Sequence, residues 1–285
     1  MKKIYTAILG LFVALASFAQ KPVVIIDYFT SSSTNLKSGV SAIRSQVISG
    51  IAETSRVNLI DVESESSLTL EASRRSSERA LYDNTARMGV MKTLGAQYII
   101  TGAVSKVSAD KKVTNSGVKY YTGNVVFSLK VVKAEDGTLV GSETYSYSGL
   151  TGGVGSTSEE AILSTIKKAG RVMDVFVSKY FKIFGSIVEM GEMKNGKAKS
   201  CYVSLGSGAG TNKGQRFDVF EVRTIAGRET THKIGVLSVV EVVAYDLSTC
   251  KFTSGANEIL EAFRAGRELR ISTKESVGEG FKSLL

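Results

Sequence analysis

The chain carries a single histidine, His232, and two cysteines, Cys201 and Cys250. A zinc site draws on several His or Cys ligands at set spacings, and one His with no cysteine pair at metal spacing does not supply them. A Ser-His-Asp triad would have to use His232, but no G-x-S-x-G elbow accompanies it. The glycines 206, 208, 210 and 214 superficially resemble a nucleotide loop. Such a loop lies between a strand and a helix whose N-terminus holds the phosphate. Here Gln215–Val222 reads as a strand, so the glycines are read as a tight turn. Asp27 falls at the end of the first predicted strand, where α/β proteins often place a ligand group. With no partner carboxylate in view, it is read as a cap. No catalytic residue, cofactor site or metal site is assigned, and the chain is expected not to be an enzyme.

Three features remain for other kinds of chemistry. Cys201 and Cys250 each lie near a predicted strand of the C-terminal region. They read equally as a disulfide, if the chain is exported, or as two buried thiols. Arg74, Arg75, Arg79 and Arg87 line a long polar helix, either as an anionic-surface or subunit interface or as a solvated face paired with Glu71 and Glu78. Tyr120 and Tyr121 belong to an aromatic group with Phe127, Tyr145 and Tyr147. They form a partner site if they stand at an exposed tip, and core or rim otherwise.

The elements that would position these residues follow from periodicity. Pro22–Tyr28 is a β-branched first strand. Leu36, Val40, Ile43, Val47 and Ile51 recur at helical spacing and predict a helix over 36–54. Strands are expected at 57–62, 97–107, 119–133 and 138–147, with a long polar helix over 65–94. Glu135-Asp136-Gly137 is the hairpin signal between the last two strands. A Gly-rich loop, 149–155, leads into a helix over 158–181, whose apolar stripe runs from Ile162 to Tyr180. From 183 to 273 short strands alternate with glycine turns, with one helix over 256–263, which suggests a small closed barrel or sandwich. The expected organisation is an α/β (α+β) mixed-sheet domain over 20–182, a small all-β barrel domain over 183–273, and a frayed tail over 274–285.

The first 19 residues read as a secretory signal. Lys2 and Lys3 precede an apolar run from Ile4 to Ala16, and Ser17-Phe18-Ala19 offers small residues for cleavage before Gln20. That run is too short to span about 30 Å of hydrocarbon. No Cys follows the cut, so no lipoprotein anchor is indicated. The whole chain has a net charge of +9; without Lys2 and Lys3, 34 basic residues stand against 27 acidic ones, or +7. Outside the cytoplasm such a surplus meets anionic wall polymers or lipid headgroups rather than nucleic acid, or serves solubility alone.

The segments VVIIDYFTSSS, RVNLIDVESES, LGAQYIITGAVSKV and VVFSLKVVKAEDGTLVGSETYS, with the helices between them, resemble the CsgG-like family. That family includes the curli secretion channel CsgG, the penicillin-binding-protein activator LpoB and relatives of the TolB amino-terminal domain. The resemblance covers residues 22–181. YVSLGSGAGTNKGQRFDVFEV followed by IGVLSVVEVV is similar to the carboxy-terminal barrel of FlgT-type envelope proteins. The resemblance implies a non-catalytic periplasmic or outer-membrane-peripheral protein, a scaffold or accessory in assembling or exporting a cell-surface structure. It would act through self-association or other envelope proteins. The alternative it implies is an LpoB-like regulator of a peptidoglycan synthase. Two departures bear on a pore. The acyl site is missing, and the segments matching the channel's membrane hairpins, 105–123 and 147–155, do not supply two strand pairs of 9 to 11 residues with an apolar outer face. A membrane-spanning pore is therefore not expected.

Overall fold

The computed structural model describes residues 21–31, 36–64, 94–194 and 196–274. The expected signal segment, the expected polar helix with Arg74, Arg75, Arg79 and Arg87, and the residues beyond 274 lie outside the described residues. Strands β1 (Val23–Ser31), β2 (Asn58–Asp61), β3 (Tyr98–Val113), β4 (Lys119–Lys133), β5 (Leu139–Tyr147) and β6 (Val154–Gly155) form one mixed sheet. Its order is β2-β1-β3-β4-β5, with β6 added to β4. β1 runs parallel to β2 and β3, whereas β3–β4 and β4–β5 are antiparallel.

Helices α1 (Lys37–Glu53), α2 (Ser158–Arg171) and α3 (Met173–Tyr180) pack on this sheet. Ile43, Val47 and Ile51, the stripe expected from the sequence, are fully buried in α1. They share a core with Ile26, Ile100, Phe127, Leu129 and Val131 of the strands. α2 begins with the Thr157 hydroxyl accepting from the Glu160 amide at 3.2 Å, and the two glutamates of its first turn suit the helix dipole.

Two expectations need correction. The helix expected to run from 158 to 181 breaks at Val172, which ends α2 and starts α3. The third strand, expected to end at 107, runs on to Val113 because β4 supplies a ladder partner at every step of that extension. Between Val104 and Lys106 that ladder slips by one residue. The bulge has a clear effect on side-chain direction. Without it Lys106 would follow Val104 onto the buried face; with it Lys106 is exposed and Val107 takes the rung opposite the buried Val125, beside Gly39 of α1.

Past α3 the chain forms a closed six-stranded barrel. Its strands are β7 (Phe184–Met190), β10 (Ser200–Val203), β11 (Arg216–Ile225), β12 (Arg228–Val242), β13 (Ser248–Ser254) and β14 (Leu269–Thr273). They close in the order β10-β13-β12-β11-β14-β7. β8 (Met193–Lys194) and β9 (Lys197–Ala198) make a separate small pair. The barrel has its own apolar cluster, including Val203, Phe217, Val219, Leu237 and Ile271, and α4 (Ala256–Arg264) adds Ile259 and Ala262 to it.

The barrel meets the sheet at the C-terminal end of α1. Asn212 Nδ2 donates to the Thr54 carbonyl at 3.1 Å. Gly210, at φ +71°, lies against the backbone of Ser55 and Arg56, where a Cβ would collide with the Ser55 carbonyl. Gly214 also has a positive φ, +84°, but a Cβ there meets nothing within 4 Å. Gly214→Ala should therefore cost only the left-handed strain, about 1 kcal/mol, and Gly210→Ala about 3 kcal/mol, because it adds the collision. Urea unfolding of the two variants tests this, and equal costs would remove the wedge at Gly210.

On the barrel's long β11–β12 hairpin, Glu221 is buried to 4% exposure. It accepts from Arg223 Nε at 3.0 Å and from Arg267 Nη1 at 2.8 Å. The Arg223 hydrogen bond, with help from Arg267 and against the effect of burial, holds its carboxyl below the usual range. A depressed folded pKa contributes stability above the unfolded pKa and loses it as the pH falls through the folded value. Glu221→Gln should be less stable than the native chain at pH 7, and the gap should narrow as the pH drops below about 4. Denaturation midpoints measured across that range decide it; a gap independent of pH would mean that the charge is not what Glu221 contributes.

Candidate functional site

The groups nominated for catalysis do not come together. His232 is exposed on β12, opposite Glu221, whose carboxylate is already held by two arginines. The glycine cluster folds into a three-residue 3-10 turn, Ser207–Ala209, followed by Gly210 and strand β11. Among the described residues no group of three or more His, Cys, Asp or Glu is placed to hold a metal ion.

Asp27 was expected at the end of the first strand, but β1 runs on to Ser31 and buries it mid-strand, at the irregularity between Ile26 and Phe29; its Oδ1 accepts from the Tyr28 amide at 2.7 Å. What organises this corner is a residue the sequence reading passed over. Arg44, on α1 and only 4% exposed, donates from Nε to the Asp27 carbonyl at 2.9 Å and from Nη2 to the Ile26 carbonyl at 3.3 Å. It also pairs with Asp61 and, at 3.1 Å, with Glu63. One guanidinium thus clips α1 to the middle of β1 and to the end of β2, using the planar fork that a lysine lacks. The corner that could have held a ligand is filled by the protein itself. Removing one member of such a buried cluster leaves the rest unpaired, so Arg44→Met should destabilise by about 3 kcal/mol. Arg44→Lys should recover less than half of that. Chemical denaturation measures both, and full recovery by lysine would show that charge alone matters at this position.

Clefts among the described residues include two of moderate size. One, of about 440 Å³, is lined by Ala96, Gln97, Tyr98, Lys133 and Glu135. The other, of about 300 Å³, is lined by Lys21, Asn58, Ser207, Gly208 and Tyr245. Neither converges reactive side chains on a point.

The distal half of the β3–β4 hairpin is the more distinctive feature. β1 leaves β3 after the Ser31–Val104 rung, and β5 joins β4 only from Val125 onward. Between these limits and the turn, the β3–β4 pair reaches roughly 30 Å past the last β1 rung, at about 3.3 Å per residue, with only the short β6 added to β4 at Tyr121 and Thr122. Its root is held from one side. Gly123 lets α2 approach so closely that a Cβ would strike Thr165 and the Ala161 carbonyl. Thr165 Oγ1 in turn accepts from the Gly153 amide at 2.8 Å, and Lys168 Nζ donates to the Gly152 carbonyl at 2.8 Å. The Gly-rich loop thus buttresses the ribbon on α2.

Beyond that root, every residue from Asp110 to Lys119 is exposed. This stretch holds Lys111, Lys112 and Lys119 against the single acid Asp110. Val113 and Val118, 59% and 60% exposed, flank the turn. The turn is closed by the Thr114 amide donating to the Val118 carbonyl at 2.9 Å and by Thr114 Oγ1 accepting from the Val118 amide at 3.1 Å. Tyr120 and Tyr121 lie next to this tip rather than on it. Both are half-buried, opposite Lys112 and Lys111. The free end of the arm is therefore carried by lysines and valines, with the two tyrosines behind them. The sequence signal for this was the cluster of lysines on either side of Thr114–Gly117, which breaks the apolar alternation of the strands without ending them.

Cys201 and Cys250 are both fully buried inside the barrel and occupy directly opposed positions on β10 and β13. They are free thiols in this structure.

No family model matches the chain, and no curated protein matches it. Solved structures with some likeness include the PelC dodecamer from Paraburkholderia phytofirmans, 13% identical over 54% of this chain and 87% of that one, with a TM-score of 0.32. The LpoB C-terminal domain from Escherichia coli is 13% identical over 47% of this chain and 87% of that one, with a TM-score of 0.30. The hypothetical protein CT253 from Chlamydia trachomatis is 13% identical over 56% of this chain and 97% of that one, with a TM-score of 0.37. At these identities and scores the likenesses carry no weight for the role of this chain.

Proposed function

We propose that the mature chain is an exported, non-catalytic CsgG-like envelope protein, an accessory in assembling or exporting a cell-surface structure, and that the β3–β4 arm is where it touches its partner. The observation that carries this reading is the arm itself: a buttressed two-stranded ribbon whose last ten residues, 110–119, are all exposed and net positive. A ribbon held at its root is already ordered, so a partner that grips it need not pay to organise it. Exposed lysines suit the anionic polymers, lipids and acidic protein surfaces of an envelope. The signal-like first 19 residues and the family resemblance support the compartment.

The test replaces Lys111, Lys112 and Lys119 together by Glu in the mature protein. Being exposed, the three changes should shift stability by less than about 1 kcal/mol. Affinity capture from intact envelopes, identified by mass spectrometry, should lose its specific partners, and binding should weaken in high salt. Unchanged capture would remove the arm from the function. Light scattering on the native protein bears on the role: a ring-sized particle fits assembly, whereas a strict monomer that captures a peptidoglycan synthase favours a regulator. Hydrolysis of envelope glycans that is abolished by a single Asp or Glu change would replace both readings with an enzyme.

A further inference from the structure

We infer that Cys201 and Cys250 are a cross-strand staple of the barrel, closing into a disulfide when the chain folds in the presence of a disulfide donor. The two residues form one rung of the β10–β13 ladder, between Ser200↔Lys251 and Tyr202↔Thr249. Opposed residues on antiparallel strands point to the same face, and their Cα atoms stand about 4.5 or 5.5 Å apart; both separations lie within the range that a disulfide spans. Both side chains are fully buried in the barrel's apolar cluster, so they share the inner face. The same row continues through Met190 of β7 beside Cys201 and Val239 of β12 beside Cys250, so no polar group competes for either sulfur across the ladder.

Burial also sets when the bond can form. It pushes the Cys250 thiol up to about 12 and raises Cys201 as well, where the neighbouring Cys250 adds to the effect. The thiolate is the attacking species in disulfide exchange, so in the folded, reduced barrel exchange is slow on two counts, ionisation and access. The bond therefore belongs to the folding step, before β10 and β13 seal. One cysteine loses its proton and attacks a sulfur of the donor, releasing one donor thiol and leaving a mixed disulfide. The second cysteine then loses its proton, attacks the first cysteine's sulfur and releases the second donor thiol. Two protein thiols are oxidised and one donor disulfide is reduced.

The inference draws its cellular donor from the exported reading above, but the pair can be tested apart from it. The native mature chain is unfolded, reduced and refolded with reduced and oxidised glutathione. It is then alkylated in denaturant without reductant, and its intact mass is measured. The expected product is a monomer 2 Da lighter than the reduced chain, with neither cysteine alkylated. Reducing it should raise the unfolded-to-folded ratio by about 10² to 10³-fold, as expected for a closed loop spanning 201–250. The Cys201→Ala/Cys250→Ala double variant should show no such response to reductant. Two alkylated thiols, a glutathione adduct or a disulfide-linked dimer after refolding would each overturn the staple. Free thiols in the cell-made protein, with normal closure on refolding, would support the staple and count against export.

Discussion

The structure depends on one long ladder, the antiparallel pairing of β3 with β4 from Tyr98↔Lys133 to Val113↔Lys119. Its inner half builds the sheet, because Ile100, Phe127, Leu129 and Val131 bury their side chains under the three helices. Its tip, from Asp110 to Lys119, has no such burial to hold it and persists because each strand satisfies the other's backbone groups. The bulge at Ser105 joins the two regimes. It moves Lys106 out of the face that α1 covers and brings Val107 in, so the ribbon stays under α1 for one more turn before it runs free. A two-stranded ribbon alone is marginal in water. Here the root is clamped by α2 and the Gly-rich loop, and the free part is short.

Much of this could be read from the residues. β4 has the predicted bounds, Lys119–Lys133, since period-two alternation with β-branched and aromatic residues leaves little choice. The hairpin at Asp136-Gly137 also follows the rule: the Asp136 carboxylate accepts from the Thr138 amide at 2.9 Å, and Gly137 takes the left-handed conformation at φ +74°. The small barrel expected past residue 183 is there as a closed six-stranded one; which strands close it was not readable, because the pairing of β7 with β10 and β14 leaves no local mark.

Where reading failed, a distant contact overrode a local preference. The stretch from Ser108 to Val113 has the lysines and polar residues of a loop, and pairing with β4 makes it a strand. The apolar stripe of the last helix continues through Val172 in period. The break there separates α2, which clamps the arm, from α3, whose Phe176 meets Tyr180 at a tilt and Phe181 edge-to-face. Arg44 gave no signal because a single arginine in an amphipathic helix looks solvated. Its partners, two carbonyls within β1 and the Asp61 carboxylate at the end of β2, come together only after β1 and β2 pair. The opposed cysteines have the same origin: their register is a property of the β10–β13 pairing and not of either segment.

These contacts give α1 a role that its own sequence does not announce. Near its N-terminus Gly39 packs on Val107 at the arm's root, and just past its C-terminus Thr54 and Ser55 receive Asn212 and Gly210 of the barrel. With 17 residues, α1 is about 25 Å long, and between those ends Arg44 ties it to β1 and β2. The arm and the barrel are thus fastened to opposite ends of one helix that is itself locked to the sheet. α1 thus holds the arm and the barrel at a fixed separation, each fastened to it by its own set of contacts.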